Sequence, residues 1–409
     1  MEITRFAPSP TGHLHIGGAR TALFSYLFAK ANNGNFLLRF EDTDRERSKE
    51  EYVESILKSL DWMNIKLDSD PVYQSKKITQ HKDLAIELYK KGLAYACDCN
   101  EEALTKMREE QIAKKQKPKY DGLNRNKEIK YAEGMVLRFK FPQEGVSKFK
   151  DLILGDISIN NKEFDDFIIL RKDGSPTYNF SAAVDDMDMK ITTVIRGDDH
   201  ITNTLKQINV LNAFGAKIPS YAHLPMVLAE SGKRLSKRDG AKDILDYKEE
   251  GYLSDALINY LVRLGWSYGE EEVFSLDELK KIFKLNQVNS SPSKYSKDLL
   301  DWYNNKYLNF LTPKELISKV KENSGTDFNQ IDNGEQAISL LAKGANSLNQ
   351  IAEESSYFFE EPETKFASLS IDTDKKLLLS KFSKQLKEID FKKNEIEKCI
   401  KEFLESNNL

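Results

Sequence analysis

The sequence predicts an α/β fold built on an open parallel sheet, interrupted by an inserted α+β segment and followed by an all-helical region. Three observations carry that prediction. A strand–turn–helix–strand unit runs from Arg5 to Phe40, the composition changes character at Cys97, and helical periodicity takes over from Ser254. With 409 residues, 40% hydrophobic and 31% charged, the chain can form several domains around large cores. No apolar run is long enough to span a bilayer, and the chain enters a strand at once, so neither a membrane segment nor a signal peptide is expected. Three cysteines, Cys97, Cys99 and Cys399, cannot build a disulfide framework, which suits a reducing cytoplasm.

The opening unit is the most informative. Arg5-Phe6-Ala7 leads into the rigid turn Pro8-Ser9-Pro10-Thr11-Gly12, and His13-Leu14-His15-Ile16-Gly17-Gly18 starts a helix. Ala19, Leu23, Tyr26, Leu27 and Lys30 recur at helical spacing, and Asn32-Asn33-Gly34 is a left-handed stop. Phe36–Phe40 follows as a second parallel strand. A helix that starts beside the carboxyl ends of two parallel strands offers free N–H groups and a favourable dipole to phosphates. Gly17 and Gly18, lacking a Cβ, would let a nucleotide lie on the backbone, with His13 and His15 at the mouth as hydrogen-bond donors.

Glu41-Asp42-Thr43-Asp44 closes the second strand, where acidic groups face the crevice of an open α/β sheet. Arg5 and Glu41 would approach each other from neighbouring strands, a pairing suited to an amino acid, while Asp42 or Asp44 would cap a helix over 50–60. A further helix fits 79–95. Next come a charged helix over 101–117 and strands at 135–141, 149–154 and 156–159, the body of an insertion, with 167–171 leading back to the sheet. Thr177–Phe180 and Ile191–Ile195 resume the parallel strands, and Arg196 with His200 falls at a strand end.

Net charge is −4, so a phosphate-bearing partner must be met by local basic patches. One lies at 105–127 and includes Lys114, Lys115, Lys117, Lys119 and Arg125, a candidate RNA contact. Another, Lys233-Arg234-Leu235-Ser236-Lys237-Arg238, sits between two glycines and could close over a triphosphate. Helices are expected at 275–285, 296–310, 313–323, 335–349 and 373–404. Residues 301–409 hold 15 Lys, no Arg, 19 acidic residues and no histidine, which makes them a recognition or structural module.

Together these motifs resemble those of bacterial glutamyl-tRNA synthetases, class I aminoacyl-tRNA synthetases with a Rossmann-like catalytic core. Pro8–Gly12 running into His15-Ile16-Gly17-Gly18 is similar to the first class I signature. Arg39–Asp44 is typical of the family, and Leu235-Ser236-Lys237-Arg238 is similar to the second signature. The likeness covers nearly the whole chain in the same order. It implies catalytic halves at 1–95 and 166–240 and an inserted acceptor-end domain at 96–165. A stem-contact region at 241–305 and a shortened anticodon-binding domain at 306–409 would follow.

The resemblance further implies a glutamate pocket of Arg5, Ser9, Glu41, Tyr178 and Arg196, with Arg196 on the side-chain carboxylate. ATP would contact Ser9, His15, Gly17, Gly18, Leu235, Ser236 and Lys237, with His15 and Lys237 catalytic and magnesium accompanying the phosphates. The expected reaction is formation of glutamyl-adenylate, then transfer to the 3′-terminal adenosine of the glutamate tRNA by a cytoplasmic monomer. Use of the glutamine tRNA is left open by the sequence.

Three departures qualify the likeness. Arg234 stands where the second signature commonly begins with lysine. Many relatives hold zinc through a C-x-C pair, a further Cys and a third kind of ligand; here Cys97 and Cys99 remain but Asn124 and Asn126 replace the rest, so zinc is not expected. The chain is also shorter than typical relatives, so the last anticodon-contacting helices are expected to be missing or rearranged. A paralogue that glutamylates a tRNA base would lack the helical tail, glutaminyl-tRNA synthetase would carry a β-barrel there, and a non-catalytic relative would have lost His15, Gly17, Ser236 and Lys237.

Overall fold

Short apolar strands with charged residues at their carboxyl ends build the core of this protein, and the connecting helices cover them. The first half contains β1 (Ile3–Phe6), α1 (Ile16–Ala31), β2 (Asn35–Phe40), α2 (Glu50–Trp62), β3 (Val72–Tyr73) and α3 (Ile78–Lys90). Then come β4 (Ala94–Cys97), α4 (Glu101–Ala113), β5 (Val136–Phe139), β6 (Val146–Asp151) and β7 (Gly155–Asn160). The chain returns through β8 (Ile168–Leu170), α5 (Tyr178–Asp188), β9 (Thr193–Gly197), α6 (Ile201–Ala213), β10 (Ser220–Leu224) and β11 (Val227–Leu228). The structure is a computed structural model that describes residues 1–233, 235, 242–359, 372–390 and 392–407.

β1, β2 and β3 pair in parallel, with Arg5 opposite Leu37 and Arg39 opposite Val72. β9 and β10 are likewise parallel, with Arg196 opposite His223. The two sets meet where the Thr192 N–H donates to the Ile3 carbonyl at 2.9 Å and the Ile3 N–H donates to Thr192 Oγ1 at 2.7 Å. The strands thus run β3-β2-β1-β9-β10, and chain order reverses between β1 and β9. Such a switch point opens a crevice at the carboxyl ends of the strands. α1 lies across the sheet and is buried on nearly every side, from Ile16 and Ala19 through Phe24 to Ala29, so it is a core helix rather than a surface one.

The structure differs from several sequence expectations. Thr177–Phe180 is not a strand but the start of α5, whose buried face carries Phe180, Ala183 and Val184 at helical spacing. The β6–β7 hairpin does not stay with the insertion. β6 pairs in parallel with β10, Tyr221 opposite Asp151, which extends the main sheet, whereas β4, β5 and β8 form a small antiparallel sheet of their own. Neither Asp42 nor Asp44 caps α2, whose first turn follows Lys49 without a side-chain cap. Asp42 instead accepts from the Ser75 N–H at 2.8 Å and ties the end of β2 to the residues after β3.

Beyond β11 the described elements are helices apart from β12 (Ser293–Lys294), which pairs with β11. The helices α7 (Ile244–Glu249), α8 (Ser254–Arg263) and α9 (Leu276–Ile282) precede it. α10 (Lys297–Phe310), α11 (Pro313–Ser324), α12 (Gly334–Gly344) and α13 (Leu348–Glu354) follow. Their apolar faces, including Leu257, Leu279, Tyr303, Val320 and Ile338, share one continuous core with α1 and β2. The single helix expected at 335–349 is therefore two, parted at Ala345–Ser347, where Asn305 donates to the Ala345 carbonyl at 2.8 Å. By its contacts the chain forms two units, Met1–Ala352 and Glu353–Leu409. In the second, α14 (Thr373–Leu386) and α15 (Lys393–Ser406) replace the one helix expected at 373–404, and Phe382 packs on Phe403 with ring centres 4.8 Å apart.

Thr192 is the joint between the two strand sets. Thr192→Val keeps its shape but leaves the Ile3 N–H without its acceptor, and the expected cost is about 1–3 kcal/mol. A denaturation midpoint equal to that of the unaltered protein would contradict this role.

Candidate functional site

At the carboxyl ends of β1 and β9 lies a cleft of about 250 Å³. Arg5, Glu41, Tyr178 and His200 line one part, and His15, Gly17, Gly18 and Thr21 at the start of α1 line another. Leu224, Pro225, Met226, Val227 and Leu235 complete the walls. Of the residues expected from the sequence, Arg5, Glu41, Tyr178, His15, Gly17, Gly18 and Leu235 thus share one crevice. Ser9 is exposed on its turn and is not among the lining residues. Arg234, Ser236, Lys237 and Arg238 lie outside the described residues.

The start of α1 differs from the open anion nest the sequence suggests. His15 is its N-cap, and its Nδ1 accepts from the N–H groups of Gly17 at 3.1 Å and Gly18 at 3.4 Å. In the neutral ring the proton therefore resides on Nε2. Space at the two glycines is tight. A Cβ on Gly17 would stand 3.1 Å from His15 Cε1, and one on Gly18 would stand 2.9 Å from Leu14 Cδ1. His13 turns elsewhere: its Nδ1 is 2.8 Å from Ser55 Oγ, and its ring packs edge-on against Tyr52 of α2.

Arg5 does not pair with Glu41. Its Nε and Nη2 donate to Asp186 at 3.0 and 3.4 Å. Arg39, fully buried, donates to the same carboxylate at 2.6 Å and to Glu41 at 3.1 Å. Behind it, Asp185 accepts from Gln74 at 2.8 Å and from His81 at 2.9 Å. Burial works against ionised Asp186, but Arg5 and Arg39 overcome it and bring its pKa from 3.8 down to about 2. Burial likewise raises the Glu41 carboxyl, and here Arg39 and Arg5 offset it only in part, so its pKa ends above the ordinary value. A cation arriving beside Glu41 would favour its anion.

Arg196 stands behind the lining residues and is only 6% exposed. Its Nη2 donates to Thr204 Oγ1 at 2.6 Å and its Nε to His223 Nε2 at 3.4 Å, while its buried Nη1 has no partner. No carboxylate lies within 4.0 Å of it among the described residues. Its charge nevertheless acts on Tyr178 and His200, which face the cleft. Tyr178 Oη and His200 Nδ1 are 3.1 Å apart, and burial together with Arg196 lowers the His200 pKa to about 4, so that ring is neutral at physiological pH.

A second hollow of about 440 Å³ shares Tyr178 with the cleft and is lined by Arg108, Lys119, Arg138, Arg171 and Lys206 against Asp165. Of the basic residues expected to contact RNA, Lys114, Lys115 and Lys117 are exposed, and Lys119 is partly buried at this hollow. Arg125 is turned inward onto Asp166. Nearby, Cys97 lies 3.6 Å from Tyr120 Oη, and Cys99 donates to Asn124 Oδ1 at 3.2 Å. Two thiols, a phenol and an amide do not fit a closed zinc centre, and the described residues contain no cluster of three His, Cys, Asp or Glu placed for a metal.

The sequence did not single out Asp186, Arg39, Thr204, His223 or Asp151. The available signal was a charged or polar side chain within an apolar run: Arg39 between Leu38 and Phe40, Asp185-Asp186 after Ala182-Ala183-Val184, and His223 between Ala222 and Leu224.

Comparison with known proteins identifies the family. The family model for the catalytic domain of class I tRNA synthetases (E and Q) matches residues 3–302, and one for an anticodon binding domain matches residues 303–409. A glutamate–tRNA ligase of Coxiella burnetii is 49% identical over 362 residues, covering 88% of this chain and 77% of that protein. One from Francisella tularensis is 47% identical over 366 residues, covering 88% and 78%. Among solved structures, a glutamate tRNA ligase from Elizabethkingia meningosepticum in complex with its amino acid superposes with a TM-score of 0.83 at 31% identity. That alignment covers 100% of this chain and 90% of the other. No described helix is long and apolar enough to cross a membrane.

A depressed carboxylate pKa supports folding above the unfolded value and ceases to do so as pH falls through the folded one. Asp186→Asn should therefore destabilise the protein by roughly 3–5 kcal/mol near neutrality. The gap to the unaltered protein should narrow as pH falls from about 4 toward about 2, when denaturation midpoints are followed with pH. A gap independent of pH would contradict the assignment.

Proposed function

The chain belongs to the glutamate–tRNA ligases of the class I tRNA synthetase family, and we propose that the cleft at the sheet's switch point carries out their reaction with the residues described above. That reaction is the ATP-driven attachment of glutamate to tRNA. One observation carries the placement of the substrate. Arg196 is a buried cation with an unpartnered Nη1, whereas Arg5 and Arg39 already have carboxylate partners. A buried guanidinium is stable only when its charge is met, and the partner it lacks is an anion. The side-chain carboxylate of glutamate supplies it, and an amide in its place would bring no charge. Glu41 receives the ammonium group, and Arg5 and Tyr178 border the pocket.

The remaining steps need no protein nucleophile. A carboxylate oxygen of the bound glutamate attacks the α-phosphorus of ATP, and pyrophosphate leaves. The ribose hydroxyl of the 3′-terminal adenosine of the tRNA then attacks the activated carbonyl, and AMP leaves. Catalysis rests on holding these groups in line and on stabilising the charge that builds on the phosphates. His15, whose Nδ1 is committed to the helix start, offers Nε2–H to that charge. Lys237 with Ser236 and Leu235 would cover the phosphates, and Ser9 would close the same side on substrate binding. Magnesium enters with ATP as the counter-ion of its phosphates.

The hollow lined by Arg108, Lys119, Arg171 and Lys206 opens toward Tyr178 and suits the phosphates of the tRNA acceptor end. Lys114, Lys115 and Lys117 extend this basic surface, whereas Arg125, held by Asp166, has a structural part. The helices beyond residue 303 fall to the anticodon, as the match to an anticodon binding domain supports. A cytoplasmic monomer that charges the glutamate tRNA is the form we propose.

The direct test is aminoacylation of purified glutamate, glutamine and aspartate tRNAs with labelled glutamate and ATP. Charging of the glutamate tRNA is expected, and no charging of any of them would remove the reading. For the acceptor path, Arg171→Ala and Lys206→Ala should each raise the KM for tRNA. Each should also reduce the slope of log K against log salt by roughly 0.7–1, leaving the KM for glutamate within about twofold. An unchanged salt slope would contradict the path.

A further inference from the structure

Asp151 and His223 are buried polar residues to which the reaction above gives no part. Asp151, at the end of β6, is 2% exposed, and its carboxylate is heavily engaged. It accepts from the N–H groups of Ile153 and Leu154 at 2.9 Å each and from that of His223 at 3.1 Å. His223 Nδ1 lies 2.6 Å from the same carboxylate. A carboxylate can only accept, so the ring proton sits on Nδ1 and Nε2 presents a lone pair. That lone pair meets Thr204 Oγ1 at 2.9 Å and Arg196 Nε at 3.4 Å, and Thr204 Oγ1 in turn accepts from Arg196 Nη2. The ring cannot swing away. Phe149 packs against it edge-on at 5.8 Å, and Tyr221 stacks beside it with planes 7° apart. Burial also lowers the His223 pKa in spite of Asp151, which favours the neutral, accepting ring.

Arg5 and Arg39 are fixed by direct contact with carboxylates, and their charge is thereby met. Arg196 is fixed differently: a fully engaged anion holds a neutral imidazole, and the imidazole and a hydroxyl hold the guanidinium. Orientation is imposed while the positive charge stays available. A carboxylate placed directly on Arg196 would orient it equally well but would compete with an incoming anion.

We infer that His223, locked by Asp151, is a positioning residue that aims Arg196 at the side-chain carboxylate of the amino acid, an inference that rests on the reading of Arg196 given above. It explains why the β6–β7 hairpin joins the main sheet: the pairing of β6 with β10 brings Asp151 beside His223. It also places part of the amino-acid specificity on residues that never touch the substrate.

Steady-state aminoacylation by the full chain with glutamate, ATP and the glutamate tRNA tests it. His223→Leu removes both hydrogen-bonding faces and should raise the KM for glutamate roughly tenfold. The KM values for ATP and tRNA should stay within about twofold. His223→Gln places an amide oxygen near the Nε2 position and should recover most of the loss, and the near-isosteric Asp151→Asn should fall between the two. In an Arg196→Ala background, His223→Leu should add less than about twofold, because the residue it serves is gone. Equal rises in all three KM values, an unaltered glutamate KM, or effects that multiply in the double variant would each overturn the inference. If Arg196→Ala itself leaves the glutamate KM unchanged, the reading of Arg196 falls and this inference with it. If Arg196→Ala is impaired while His223→Leu is not, only the inference falls.

Discussion

The site is governed by the cost of holding several guanidinium groups buried beneath the cleft. Two of them, on β1 and β2, share one carboxylate of α5 and are held by it whether or not substrate is bound. The third, at the end of β9, meets only neutral groups. The sheet's switch point makes this division possible, because it brings the carboxyl ends of β1 and β9 side by side although nearly the whole catalytic half of the chain separates them in sequence. The joint at Thr192 is therefore as much a part of the site as the charged residues themselves.

The opening unit shows what a sequence can disclose. The βαβ pattern, the glycine pair and the place of His15 at the helix start were legible because local rules of strand, turn and helix start determine them; that its ring caps the helix was not. Arg5 and Glu41 were legible as crevice residues from their strand ends, and Tyr178 only with the resemblance to a known family added. The exchange of partners among Arg5, Arg39, Glu41 and Asp186 was not, since salt-bridge partners far apart in sequence are selected by packing. The same limit explains α5. Thr177–Phe180 is apolar enough for a strand, and only the tertiary position of Phe180, Ala183 and Val184 selects the helix. The broken helices at 345–347 and 387–392 have a similar cause: a continuous periodicity does not report where a chain turns.

The inserted segment is less separate than its composition suggests. Its small sheet β4-β5-β8 packs on α3, α5 and α6 through Leu88, Phe139, Ile169 and Phe180, and its hairpin is an edge of the main sheet. Hydrogen bonds among Cys97, Cys99, Tyr120 and Asn124 hold the loop, with Arg138 stacked 3.7 Å over the Tyr120 ring. The basic hollow beside Tyr178 is built on this packing.

The central claim is that the uncompensated guanidinium of Arg196 awaits the acidic side chain of the amino acid. A crystal structure with a non-hydrolysable glutamyl-adenylate analogue tests it most directly. The account predicts the side-chain carboxylate within about 3 Å of Arg196 Nη1, with the phosphate group at the start of α1. A carboxylate bound elsewhere, with Nη1 still without a partner, would contradict it.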